Sequence, residues 1–197
     1  MKKLKRIAAL TLAAACAATV CAGAAFTDQS DIKVDSKVID TLVEKNVIKG
    51  YENGSFKPNE TVSRAEMAKM IYVLRTNGGT DAATYAEKMS TNFNDVNNHW
   101  ASGYIKYCQA YGIVSGKSST VFAPNDTVTT VEAAKMLLVL SGIDENLGGL
   151  TGPQWKANTM KYADQDCLLK GIGTGIDDAL PRQYAAQMIY NELHINE

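Results

Sequence analysis

Residues 50–74 read GYENGSFKPNETVSRAEMAKMIYVL, a short extended turn that feeds a helix. Asn53-Gly54 supplies residues that tolerate the positive φ of a tight reversal, and Phe56 and Pro58 pin the chain as it leaves. The helix opens at Ser63, whose hydroxyl reaches the Glu66 amide while the Glu66 carboxylate reaches back, as in a capping box. Met67, Met70, Ile71 and Leu74 follow at i, i+3, i+4 and i+7, so one apolar stripe faces a core.

This device recurs. A shift of 66 residues sets Gly116 on Gly50, Phe122 on Phe56, Pro124-Asn125 on Pro58-Asn59, Thr127-Val128 on Thr61-Val62, Glu132 on Glu66 and Lys135-Met136 on Lys69-Met70. A further shift of 55 sets Trp155 on Trp100, Met160 on Ile105 and Gly171 on Gly116. After a three-residue deletion in the turn, Met188-Ile189-Tyr190 matches Met70-Ile71-Tyr72. Three copies of one supersecondary unit therefore account for most of the chain. The boundaries predicted are a leader at 1–24, a first repeat at 25–77, a connection at 78–92, and further repeats at 93–144 and 145–197.

Within the leader, Lys2, Lys3, Lys5 and Arg6 precede an apolar run from Ile7 to Val20 and the small-residue site Ala22-Gly23-Ala24, the pattern of a cleaved export signal. The run is short and alanine-rich for a bilayer span, so no membrane insertion is expected after cleavage. The leader holds four of the 20 basic and none of the 21 acidic residues, which leaves 16 against 21 and a net charge of −5. That balance disfavours nucleic acid or an anionic membrane surface as a partner, and any anionic ligand must be held by a few focused cations. Cys16 and Cys21 leave with the leader; Cys108 and Cys167 stand at non-equivalent repeat positions, and two unpaired, buried thiols are the expectation, with one disulfide as the alternative.

In the first repeat Val38, Ile39, Leu42 and Val43 form a helical stripe that ends before Gly50, a glycine suited to the left-handed conformation. The connection GGTDAATYAEKMSTN forms a short solvated helix or loop. Thr129 to Glu132 repeats the capping box, and in Leu180-Pro181-Arg182-Gln183 the proline sits in the first turn of the last helix, where its missing amide costs nothing.

Phe93-Asn94-Asp95-Val96, His99-Trp100-Ala101, Gly112-Ile113-Val114-Ser115-Gly116, the Gly50 to Pro58 turn and Ser63-Arg64-Ala65-Glu66 together resemble the S-layer homology repeat of bacterial surface proteins. The resemblance implies a mainly α, pseudo-threefold bundle of helix-prong-helix units. It also implies non-catalytic binding to a secondary cell-wall polymer, typically a pyruvylated glycan linked to peptidoglycan, with the arginine of the motif taking the anionic group. That role carries over to Arg64 and to Arg182, whereas the second repeat has Thr130 there. Trp100 and Trp155 share one repeat position, where the first repeat has Val34.

The chemistry is coherent: an arginine fork holds a ketal carboxylate bidentately and an indole stacks on a sugar face. Each tryptophan serves equally well as a packing residue, and Arg64 as a surface ion pair. Gly50, Tyr51 and Asp95 complete the candidate ligand-binding set, with helix entry and turn geometry as their other role. The other reading is a surface protein whose degenerate grooves bind protein partners or support self-association. No H-E-x-x-H, C-x-x-C, P-loop or G-x-S-x-G motif is present, so no enzyme, metal site or cofactor is expected.

Overall fold

The computed structural model describes residues 25–195, so the leader expected at 1–24 lies outside the described residues. The chain folds mainly as α-helix: α1 (Ser36–Glu44), α2 (Arg64–Arg75), α3 (Ala83–Lys88), α4 (Ser102–Ala110), α5 (Thr130–Leu140), α6 (Trp155–Gln165) and α7 (Arg182–Leu193). Local chemistry sets where these helices begin. Ser63 and Thr129 each cap α2 and α5 in a reciprocal box with Glu66 and Glu132. For α1, the Asp35 carboxylate accepts from the Lys37 amide. Pro181, by contrast, is the N-cap residue of α7 rather than its first turn, in extended backbone with no side-chain bond to offer.

Packing follows a regular offset. α4 lies on α2, α6 on α5 and α1 on α7, while α2 meets α5 and α5 meets α7. The α1 on α7 contact brings the first and last of these helices together. Leu42, Phe56, Met67, Ile71, Ile105 and Phe122 are fully buried in the shared core, each stabilising by about 1.5 to 3 kcal/mol. Leu74 only lies against its edge.

The extended entries of α2, α5 and α7 meet at the centre. Val62 N–H donates to Leu180, Leu180 N–H to Val128 and Val128 N–H to Val62, each at 2.9 Å, closing a ring of three backbone bonds. Around it, the amides of Arg64, Thr130 and Arg182 donate to the carbonyls of Asp126, Asp178 and Glu60. The extended pieces are isolated bridges, Thr61 with Pro181, Ser63 with Thr127 and Thr129 with Ala179, with no named strand among the described residues.

Three further expectations change. The left-handed residue after α1 is Asn46 (φ 58°), not Gly50; glycine is needed at 50 because a Cβ there would lie 2.7 Å from the Phe26 ring. The polar connection does contain a short helix, α3, but it packs on α4 and buries Ala82 at its start. Both cysteines are free, yet only Cys108 is buried; Cys167 is exposed at a positive φ of 55° in the turn after α6.

Candidate functional site

Two clefts occupy corresponding places between helices. The first, of about 480 Å³, is lined by Arg64 of α2, Ser115 to Lys117 of the turn, Glu132 and Lys135 of α5, and Trp155 of α6. The second, of about 300 Å³, is lined by Arg182 of α7, Lys49 to Tyr51, Glu66 and Lys69 of α2, and Trp100 of the turn before α4. Each therefore combines a buried guanidinium, a turn, a lysine and an indole drawn from different segments of the chain. This composition follows from the packing of α4 on α2 and of α6 on α5, which brings Trp100, two residues before α4, to the α2 wall and Trp155 to the α5 wall.

Both arginines sit deep and are committed to main chain. Arg64, 3% exposed, donates from Nε to the Phe122 carbonyl at 2.9 Å and from Nη2 to the Ser115 carbonyl at 2.7 Å, while its guanidinium covers the Phe122 ring. Glu132 stands 3.7 Å from its Nη1. Burial lowers the Arg64 pKa, against the opposing pull of Glu132, Asp126 and Asp95. Arg182 makes the matching bond from Nη2 to the Lys49 carbonyl at 2.8 Å, over the rings of Tyr51 and Phe56, but its Nε has no partner.

The lysines are nearer the openings. Lys69 and Lys135 lie over the Trp100 and Trp155 rings at 5.9 and 5.6 Å. Lys135 also pairs with Glu145, whereas Lys69 forms no ion pair among the described residues. Burial raises the Glu132 carboxyl, but its bonds with Lys117 and the Thr129 amide, and the Arg64 charge, outweigh that and hold it lowered. Trp100 is 58% exposed, a large flat apolar face left open to solvent.

The structure gathers Gly50, Tyr51, Trp100 and Arg182 in one cleft and Arg64 and Trp155 in the other. Asp95 lines neither. Its carboxylate accepts from the Phe122 and Ala123 amides, whose bonds lower its pKa despite the opposing effect of burial, as Asp28 does for Phe56 and Lys57. Thr130, 66 residues after Arg64, is buried with its Oγ1 unpartnered, and Val34 is partly buried against the core. On α7, Asn191 donates to the Leu168 and Lys170 carbonyls and Gln187 donates to Asn191.

Sequence reading missed Lys69, Lys135 and Lys117 as cleft residues. The repeat register already paired Lys69 with Lys135, which was the available signal; Lys117 had none.

Residues 25–68 and 92–134 match the family described as S-layer homology domain. A cell surface protein of Thermoanaerobacter kivui is 30% identical over 201 residues, 99% of this chain and 25% of the relative. The surface-layer 125 kDa protein of Lysinibacillus sphaericus is 31% identical over 172 residues, 83% of this chain and 14% of the relative. A cellulosome-anchoring protein of Acetivibrio thermocellus is 28% identical over 113 residues, covering 57% of this chain and 25% of the relative. Two segments of the chain thus carry S-layer homology sequence, which together with these relatives supports a cell-surface location. It spans between 14% and 25% of the length of these relatives.

Proposed function

We propose that the protein is a non-catalytic module that anchors to the cell wall by holding an anionic, pyruvylated wall polymer in its clefts. The observation that carries this reading is the union, in two corresponding places, of a buried arginine, a lysine over an indole, and a glycine-bearing turn. The lysine and the guanidinium edge supply charge-assisted bonds to a ketal carboxylate, and the indole supplies a face for the sugar ring. Arg64 and Arg182 shape the floor as much as they supply charge, because their bonds to Ser115 and Lys49 fix the turns. In this reading the molecule comprises three helix-prong-helix repeats in a pseudo-threefold bundle, supported by the ring of Val62, Val128 and Leu180 bonds and the offset helix pairs.

The test is cosedimentation of the exported chain with cell-wall sacculi before and after acid extraction of the polymer that is not peptidoglycan. Binding is expected to vanish on extraction and to weaken in Trp100→Ala and Lys69→Ala, which are surface changes that leave the fold intact. Binding that ignores both extraction and substitution would sink the glycan reading in favour of a protein partner.

A further inference from the structure

The two clefts differ in one charged residue. Glu145, in the segment after α5, pairs with the Lys135 ammonium at 2.5 Å and accepts from the Ser115 hydroxyl at 2.8 Å. Both contacts lie among residues that line the first cleft, and Glu145 itself lines it. Its carboxylate thus takes up a cation beside Trp155 and a donor on the glycine turn, the kind of partners a ketal carboxylate would use. Glu132, on the same wall, further occupies Lys117.

The second cleft has no counterpart. The segment after α2 passes through Gly79 and Thr80, and of these Thr80 lines the cleft, with an uncharged side chain. Glu66 is the one acid in the lining, and its Oε2 is engaged by the amide and hydroxyl of Ser63. Lys69 and Lys49 form no ion pair among the described residues.

We infer that Glu145 is an internal occupant of the anion position in the first cleft, so that the cleft of Trp100, Lys69 and Arg182 is the primary anion site and the cleft of Trp155 binds only in competition with Glu145. This inference rests on the reading of the clefts as anion sites. It makes Glu145 a specificity-determining residue: a ligand must displace its carboxylate from Lys135, while nothing corresponding opposes entry beside Lys69. The penalty is one charge-assisted interaction, roughly a tenfold or greater weakening.

The protein's two tryptophans report the clefts separately. In Trp155→Phe the emission comes from Trp100, and in Trp100→Phe from Trp155. The exported chain is titrated with sulfate at constant ionic strength, and separately with a methyl glycoside bearing a pyruvate ketal. With sulfate, the Trp100 cleft is expected to bind at least about tenfold more tightly than the Trp155 cleft, and adding Glu145→Gln is expected to close that gap. Glu87→Gln, an equal charge change on the exposed face of α3, should leave both clefts unaltered. The reciprocal change Thr80→Glu should weaken the Trp100 cleft.

Equal sulfate binding in both clefts of the unaltered chain, or a Trp155 cleft indifferent to Glu145→Gln, would overturn the inference. Sulfate that follows the expected pattern while the ketal glycoside binds nowhere would leave Glu145 in its role and remove the glycan reading instead.

Discussion

Arg64 Nη2 donates to the Ser115 carbonyl at 2.7 Å, tying the first turn of α2 to the Ser115-Gly116 turn 51 residues on. With the second bond to Phe122 and the nearby Glu132, this one side chain satisfies two carbonyls and balances a half-buried carboxylate. Arg64→Ala should therefore destabilise by about 3 kcal/mol, because it strands buried acceptors as well as removing a contact. Arg182→Ala, which loses one carbonyl bond and an already unpartnered Nε, should cost less, about 1 to 2 kcal/mol. Urea unfolding of both variants measures the difference; equal losses would contradict this account. Lost wall binding in Arg64→Ala has to be read beside that measurement, since unfolding alone would produce it.

The two turn glycines should also differ. A Cβ on Gly116 would meet the Ser118 and Val121 carbonyl oxygens at 2.3 and 2.6 Å as well as the Phe93 ring at 2.5 Å. On Gly50 the one sub-3 Å neighbour is a carbon of the Phe26 ring, at 2.7 Å. Main chain yields less readily than a ring edge, so Gly116→Ala should cost about 1 to 3 kcal/mol and exceed Gly50→Ala. Thermal melts of the pair decide the order.

Glu192 provides a pH signature. Burial pushes its carboxyl up to about 7 from an ordinary 4.5; the Ser141 hydroxyl opposes that shift and the Asp166 charge adds to it. A folded pKa above the unfolded one means the native state holds more protons between those values. Stability from this group is thus full below about pH 4.5 and lost as pH rises through about 7. Glu192→Gln should flatten the melting temperature across that window, by the equivalent of about 1 kcal/mol or less because the group is partly exposed and screened. An unchanged pH slope in the variant would reject the assignment.

Thiol chemistry separates the two cysteines. Cys167 is exposed and free, whereas burial pushes the Cys108 thiol up to about 12 and its Sγ contacts the Ala68 carbonyl. In protein lacking residues 1–24, a maleimide should label one thiol per chain under native conditions and two in denaturant. The native adduct should map to Cys167 by peptide mass.

The local devices were legible without coordinates. The Ser63–Glu66 and Thr129–Glu132 boxes, the stripe of Met67, Met70 and Ile71, and the register linking Lys69 to Lys135 all depend on residues a turn or one repeat apart. Turn details were less so. Gly50 carries the glycine a positive φ would need, but its reason is the approach of Phe26 from 24 residues earlier, and Asn46 supplies the left-handed turn instead. For Asp95 the sequence offered turn geometry or ligand contact, and only the fold shows its oxygens engaged by amides 27 and 28 residues away.

By itself, then, the sequence determined the Ser63 and Thr129 helix entries and the apolar faces, because capping and periodicity act through near neighbours whose spacing is written in the chain. Only the tertiary structure decided which arginine shares a cleft with which tryptophan, which cysteine meets solvent, and that Glu145 reaches Lys135. Those pairings arise from the packing of α4 on α2, α6 on α5 and α1 on α7, an arrangement chosen by the summed packing of the whole core, not by any short run of residues.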